Sequence, residues 1–167
     1  MKRTAIATTL LILFAALASA QDPAAVDAAK KAAEAWRVAL VAAQADTLWE
    51  LASDDTHKRM ADDLAELQER LRTVPADRLD DTIDGLAVTA RKILDLKDGK
   101  AFFAWLISRI SQRERDQINK LAVGTVTVEG SAATLAWTGP EGTSLTAAAM
   151  PQRATLKDGK WRIEVDE

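Results

Sequence analysis

The spacing of apolar residues changes once along this chain, from every third or fourth residue to every second residue from Leu121 onward. A helix gathers positions three and four apart on one side, whereas a strand gathers every second position on one face, so a single segment cannot satisfy both patterns. The chain is therefore read as helices followed by an antiparallel meander. Helices first and strands last specify an α+β domain, with N-terminal helices packed on one face of a curved antiparallel C-terminal sheet.

The helical portion carries its own start and stop signals. Asp22 and Pro23 open a helix in which Val26, Ala29, Ala33, Trp36, Leu40 and Ala43 form the apolar stripe. Thr47 and Glu50 are spaced as a capping box for a short second helix bearing Leu48, Trp49 and Leu51. Ser53 starts a third helix, with Asp54 and Asp55 in its first turn and a seam of Met60, Leu64, Leu67, Leu71 and Val74 that Pro75 brings to a stop. Leu79, Ile83, Leu86 and Ala90 then predict a helix ending near Asp95, and Phe102, Phe103, Leu106 and Ile110 predict another.

The pentapeptide LKDGK occurs at residues 96–100 and again at 156–160, in two different settings. In the first copy Asp98 reads as a helix N-cap and Gly99 as an early helical residue, so alanine at Gly99 is expected to be neutral or mildly stabilising. In the second copy Asp158 and Gly159 lie between alternating runs, where a two-residue hairpin turn needs positive φ. The strands predicted around Glu129-Gly130, the TGPEGTS turn and Asp158-Gly159 form a meander of three or four members. Pro151, which has no amide proton, places the middle of the third strand at an edge or a bulge.

Residues 1–20 have the organisation of a cleaved secretory signal. Lys2 and Arg3 supply the positive start, residues 5–17 an apolar core, and Ala18-Ser19-Ala20 the small residues before Gln21. That core is shorter than the roughly 20 residues a bilayer span requires. The mature chain, residues 21–167, is expected in the periplasm or outside the cell as one domain. With 25 acidic against 22 basic side chains, two of the latter in the signal, the domain is mildly acidic. This argues against nucleic acid as a partner, because phosphate binding requires a basic face. The absence of cysteine removes disulfides, thiolate chemistry and lipid attachment at the cleavage point.

The stretch AAEAWRVALVAAQADTLWELASDDTHKRM, the LKDGKAFFAWL helix start, and the closing VTVEGSAATLAW to LKDGKWRIEV meander resemble exported members of the nuclear-transport-factor-2-like superfamily. The resemblance covers most of the mature chain and implies a cone of helices wrapped by a curved sheet, with a pocket and with dimerisation through the sheet. The superfamily contains steroid isomerases, polyketide cyclases, dehydratases and many domains without catalysis, so the fold does not select an activity.

The chemistry must come from residues. The isomerases it resembles use an aspartate base with a tyrosine-rich oxyanion site, and this chain has no tyrosine. The single histidine, His57, precedes the apolar stripe of its helix and reads as a solvated side chain. One histidine and no cysteine exclude the common zinc sets. Asp77, Asp80, Asp81 and Asp84 lack the glycine-turned loop of a calcium site and read as an acidic helix face. No phosphate loop or nucleophile elbow is present, so neither a metal nor a cofactor is expected. Of the five tryptophans, Trp105 and Trp137 are the candidates to line a ligand pocket, with Arg153 as their polar partner. The reading that follows is an exported non-catalytic domain that binds a protein partner or a small apolar ligand through its cone opening or sheet face. A cofactor-free lyase or isomerase with a pocket carboxylate and a structural assembly protein are the alternatives.

Overall fold

The computed structural model describes residues 21–83, 88–140 and 150–165; the segment expected to be a signal, Asp84 and most of the expected TGPEGTS turn lie outside the described residues. Helix α1 spans Pro23–Val41, with the Asp22 carboxylate accepting from the Ala24 amide at 3.0 Å. Its buried face is Ala29, Ala33, Trp36, Ala39 and Leu40, as the spacing requires. The helix ends in a left-handed turn at Ala43, where φ is 54°, and the Gln44 amide donates to the Ala39 carbonyl at 2.9 Å. Helix α2, Ala45–Leu51, begins directly after this turn. Thr47 is thus inside the helix, and the expected capping box does not form because Gln44 holds the cap position.

Helix α3, Asp54–Leu71, starts at Ser53 as expected, with the Ser53 hydroxyl accepting from the Thr56 amide at 3.1 Å. The helix expected from Leu79 onward is mostly absent. A 3₁₀ turn at Ala76–Arg78 leads into two short paired strands, β1 at Thr82–Ile83 and β2 at Val88–Thr89, and among the described residues of the expected helix only Ala90–Leu94 are helical, as α4. Thr82, Ile83, Val88 and Thr89 are β-branched and flank an Asp-Gly pair in the sequence, a hairpin signal that outweighs the accidental helical spacing. The Thr89 hydroxyl then caps α4, and the Gln68 amide donates to the carbonyls of Ile93 and Leu96 at its other end.

Helix α5, Gly99–Arg109, is capped by Asp98 through the Ala101 amide at 2.8 Å. The role of Gly99 differs from the expectation. A β-carbon built there would lie 2.7 Å from the Ala61 nitrogen and 3.1 Å from the Met60 carbonyl carbon, so this glycine lets the start of α5 touch the backbone of α3. Leu106, placed in the core by the spacing, is 36% exposed, while Trp105 and Ile107 are buried. A further helix, α6 at Gln112–Ile118, follows a complete capping box between Ser111 and Glu114. The SQRE tetrapeptide at residues 111–114 is the signal for it.

Four antiparallel strands close the domain in the order of the chain: β3 at Ala122–Glu129, β4 at Ala132–Thr138, β5 at Arg153–Lys157 and β6 at Lys160–Glu164. Val123 pairs with Trp137 and Val126 with Leu135, so two residues of β3 oppose Ala136 alone. This bulge keeps Val123 and Val126 both buried despite their odd spacing, and it bends the strand. The inward face is Val123, Val126, Ala133, Leu135, Ala154, Trp161 and Ile163, and α1 lies across it, meeting β3, β4 and β6. Pro151 precedes β5, outside the strand expected to contain it.

Asp158 and Gly159 join β5 to β6 with φ of 50° and 72°, both left-handed, as a primed turn requires. A β-carbon at Gly159 would meet nothing within 4 Å. Gly159→Ala is therefore expected to lose about 1–2 kcal/mol from backbone conformation alone, read in a denaturant melt.

The β6 edge is closed by the junction between α2 and α3. The Ser53 amide donates to the Ile163 carbonyl at 2.8 Å, Ala52 bridges Ile163 in parallel, and the Val165 amide donates to the Thr56 hydroxyl oxygen at 3.1 Å. Thr56→Val keeps the volume and removes that acceptor, and about 1–3 kcal/mol of stability should be lost in a urea melt. Thr56→Ser, which retains the oxygen, should lose less.

Arg37 joins α1 to α6. Its side chain is 13% exposed, its Nε donates to both Glu34 carboxylate oxygens at 3.1 Å, and Nη1 donates to the Asn119 carbonyl and side-chain oxygens at 3.2 Å. The Arg37 hydrogen bonds hold the Glu34 carboxyl below its ordinary value of 4.5. A depressed folded value stabilises the fold fully above the ordinary one, and the contribution is lost as pH falls through the folded value. Glu34 is 45% exposed, so the effect is below about 1 kcal/mol. Glu34→Gln should be less stable than the parent at neutral pH, and the difference should shrink on acidification below 4.5; melts at both pH values check this.

Candidate functional site

Of the three residues expected to line one site, Trp137 and Arg153 fall on opposite faces of the sheet. Trp137 is on the inward side of β4, half-buried, and its indole N–H donates to the Pro151 carbonyl at 2.7 Å, fixing the segment that enters β5. Arg153 pairs across strands with Glu164 and Thr134, while its neighbour Ala154 is buried. Because successive strand residues face opposite ways, the exposed Arg153 is on the outer face of the sheet and does not serve as polar partner to Trp137. Trp105 belongs to the helical layer.

Trp105 and Ile107 are two residues apart on α5, about 200° around the helix, so their side chains leave on nearly opposite sides. Both are 8% exposed. Helix α5 is consequently covered on both sides, which explains why a single apolar stripe did not describe it. The Trp105 ring stacks on Phe102, with centroids 5.7 Å apart and planes at 15°. Its Nε1 is buried and has no hydrogen-bond partner, the sole such side-chain atom among the described residues. A buried indole N–H ordinarily finds an acceptor, and leaving one unmet costs about 1–3 kcal/mol.

On the other side of α5, Phe103 stands 6.2 Å from Trp36 and 5.6 Å from Trp49. Trp49 in turn stacks on His57 at 4.0 Å and 19°. His57 is half-buried, which corrects its reading as a solvated side chain. Its Nε2 lies 2.8 Å from the Trp49 carbonyl. A carbonyl only accepts, so Nε2 carries a proton in this contact.

Charged groups around this row are paired at the surface. Asp54 pairs with Lys157, Asp46 with Lys100 at 2.7 Å, and Arg162 donates to the Glu50 carbonyl. The Lys157 hydrogen bond holds the Asp54 carboxyl below its usual range. Asp80 receives a two-pronged contact from Arg91 at 2.6 and 3.1 Å, and Asp80 and Asp81 are exposed turn residues, where a helix face was expected. No group of three metal-ligating side chains occurs among the described residues, and no helix among them is long and apolar enough to cross a membrane.

No family model, no curated protein and no solved structure matches this chain.

Proposed function

We propose that the protein is an exported, non-catalytic domain that binds a small apolar ligand or a protein partner. The observation that carries this reading is the use to which its polar side chains are put. The buried polar residues among those described are Ser53 and Thr56, and both are hydrogen-bonded at the α3–β6 seam. His57 donates to a backbone carbonyl. Every described carboxylate is exposed except Glu34, held by Arg37, and Glu164, opposite Arg153, and both of these are only half-buried. A lyase or isomerase of the kind considered above would place a carboxylate at the bottom of an apolar pocket with a donor converging on it. Binding needs no such pair, and an apolar interior with few polar groups suits it.

Export belongs to the same proposal and is supported by the order of Lys2, Arg3, the apolar residues 5–17 and Ala18-Ser19-Ala20. The relation to the nuclear-transport-factor-2-like superfamily is also part of it, supported by helices preceding a bulged antiparallel sheet. A thermal-shift series with neutral apolar compounds tests the binding function. A ligand at about one hundred times its Kd should stabilise the domain by about 2.7 kcal/mol, raising Tm by roughly 5 °C or more. A series in which no compound moves Tm would count against it.

A further inference from the structure

We propose that the Trp105 indole N–H is the recognition donor for a neutral, largely apolar ligand carrying one hydrogen-bond acceptor, a carbonyl oxygen being the simplest. The inference rests on the binding function above and adds its anchor and the ligand's class. Trp105 is 8% exposed, and its Nε1 has no partner although four other tryptophans are present in a chain rich in carbonyl acceptors. Trp137 shows what the same side chain does when its role is structural, donating to a backbone carbonyl at 2.7 Å. An indole N–H can only donate, so whatever meets it must accept. A carboxylate is the wrong acceptor, because a buried anion needs a cationic partner and no Lys or Arg among the described residues is buried. A neutral oxygen has no such requirement. The Phe102 ring stacked on Trp105 makes the surroundings aromatic, which favours a flat, apolar body on the ligand.

A site built around a donor discriminates against an analogue lacking the acceptor, because the donor is then buried unmet. Acetophenone and ethylbenzene form a matched pair of probes, alike in ring and size and differing in the carbonyl. The protein, labelled with ¹⁵N, shows one indole N–H resonance for each of its five tryptophans, and Trp105→Phe assigns the relevant one. Titration with acetophenone should move the Trp105 resonance saturably, and acetophenone should bind about tenfold more tightly than ethylbenzene. In Trp105→Phe the two affinities should become equal. Equal binding of the two probes by the parent protein, with the Trp105 resonance unmoved, would overturn the anchor and leave the binding function standing. Failure of both probes to bind would count against both. The comparison within the parent protein holds even if the variant does not fold.

Discussion

Gly99→Ala is expected to destabilise the domain by about 2–3 kcal/mol, more than the same change at Gly159. The added β-carbon would lie 2.7 Å from the Ala61 nitrogen, 3.0 Å from its Cα and 3.1 Å from the Met60 carbonyl carbon. These are backbone atoms of α3, so no side chain can turn aside and one helix must move. The small propensity gain of alanine near a helix start does not offset that shift. At Gly159 the space is open and only the left-handed φ of 72° resists alanine. Denaturant melts of the two variants should rank Gly99→Ala as the greater loss. Adding Ala61→Gly should not rescue it, because the contacts are with main-chain atoms.

This reverses the order that the pentapeptide alone suggests, and the reason shows where local reading stops. Asp98 as a cap and Asp158-Gly159 as a turn are decided within a few residues, and both were legible. The approach of Gly99 to Ala61 depends on how two helices 38 positions apart cross, which no local pattern contains. The same holds at residues 79–94. There the apolar spacing matched a helix, but β-branched residues around Asp-Gly settled the segment as a hairpin before a single short turn of helix. The sheet was legible because alternation fixes register once one face is buried, and the bulge at Val123 to Val126 is the one place where the alternation breaks.

Ile163→Ala is expected to be the other large loss, about 2–5 kcal/mol. Its side chain has no exposed surface and sits in the inward face of β6 beneath α1 and α2. The same residue's carbonyl accepts from Ser53, and its backbone bridges Ala52, so the surroundings are tied in place and cannot collapse into the cavity. Because alanine leaves that carbonyl unchanged, the loss measures the cavity. Leu156→Ala, at a position 39% exposed, should lose well under half as much. Calorimetric melts of the two variants make the comparison.

The side chains proposed for the site are legible in the sequence as residue types, but their placement is not. Trp105 is picked out by residue type alone, and its buried, unpartnered Nε1 is a feature of packing that no local pattern contains. Trp137 and Arg153 were grouped with it by type, but the alternation of β4 and β5 sends them to opposite faces of the sheet. His57 was set aside because its helix's apolar stripe begins at Met60. Its stacking on Trp49 is a contact across the α2–α3 junction at Ala52 and Ser53, which the apolar stripe of α3 does not contain.

The central claim is that this domain binds without transforming what it binds. Its most direct test is to hold the protein with a saturating compound from the thermal-shift series and to follow the compound's mass and NMR spectrum over many equivalents and hours. The account predicts saturable binding with the compound recovered unchanged. Conversion faster than in buffer, abolished by neutralising a single carboxylate, would contradict it.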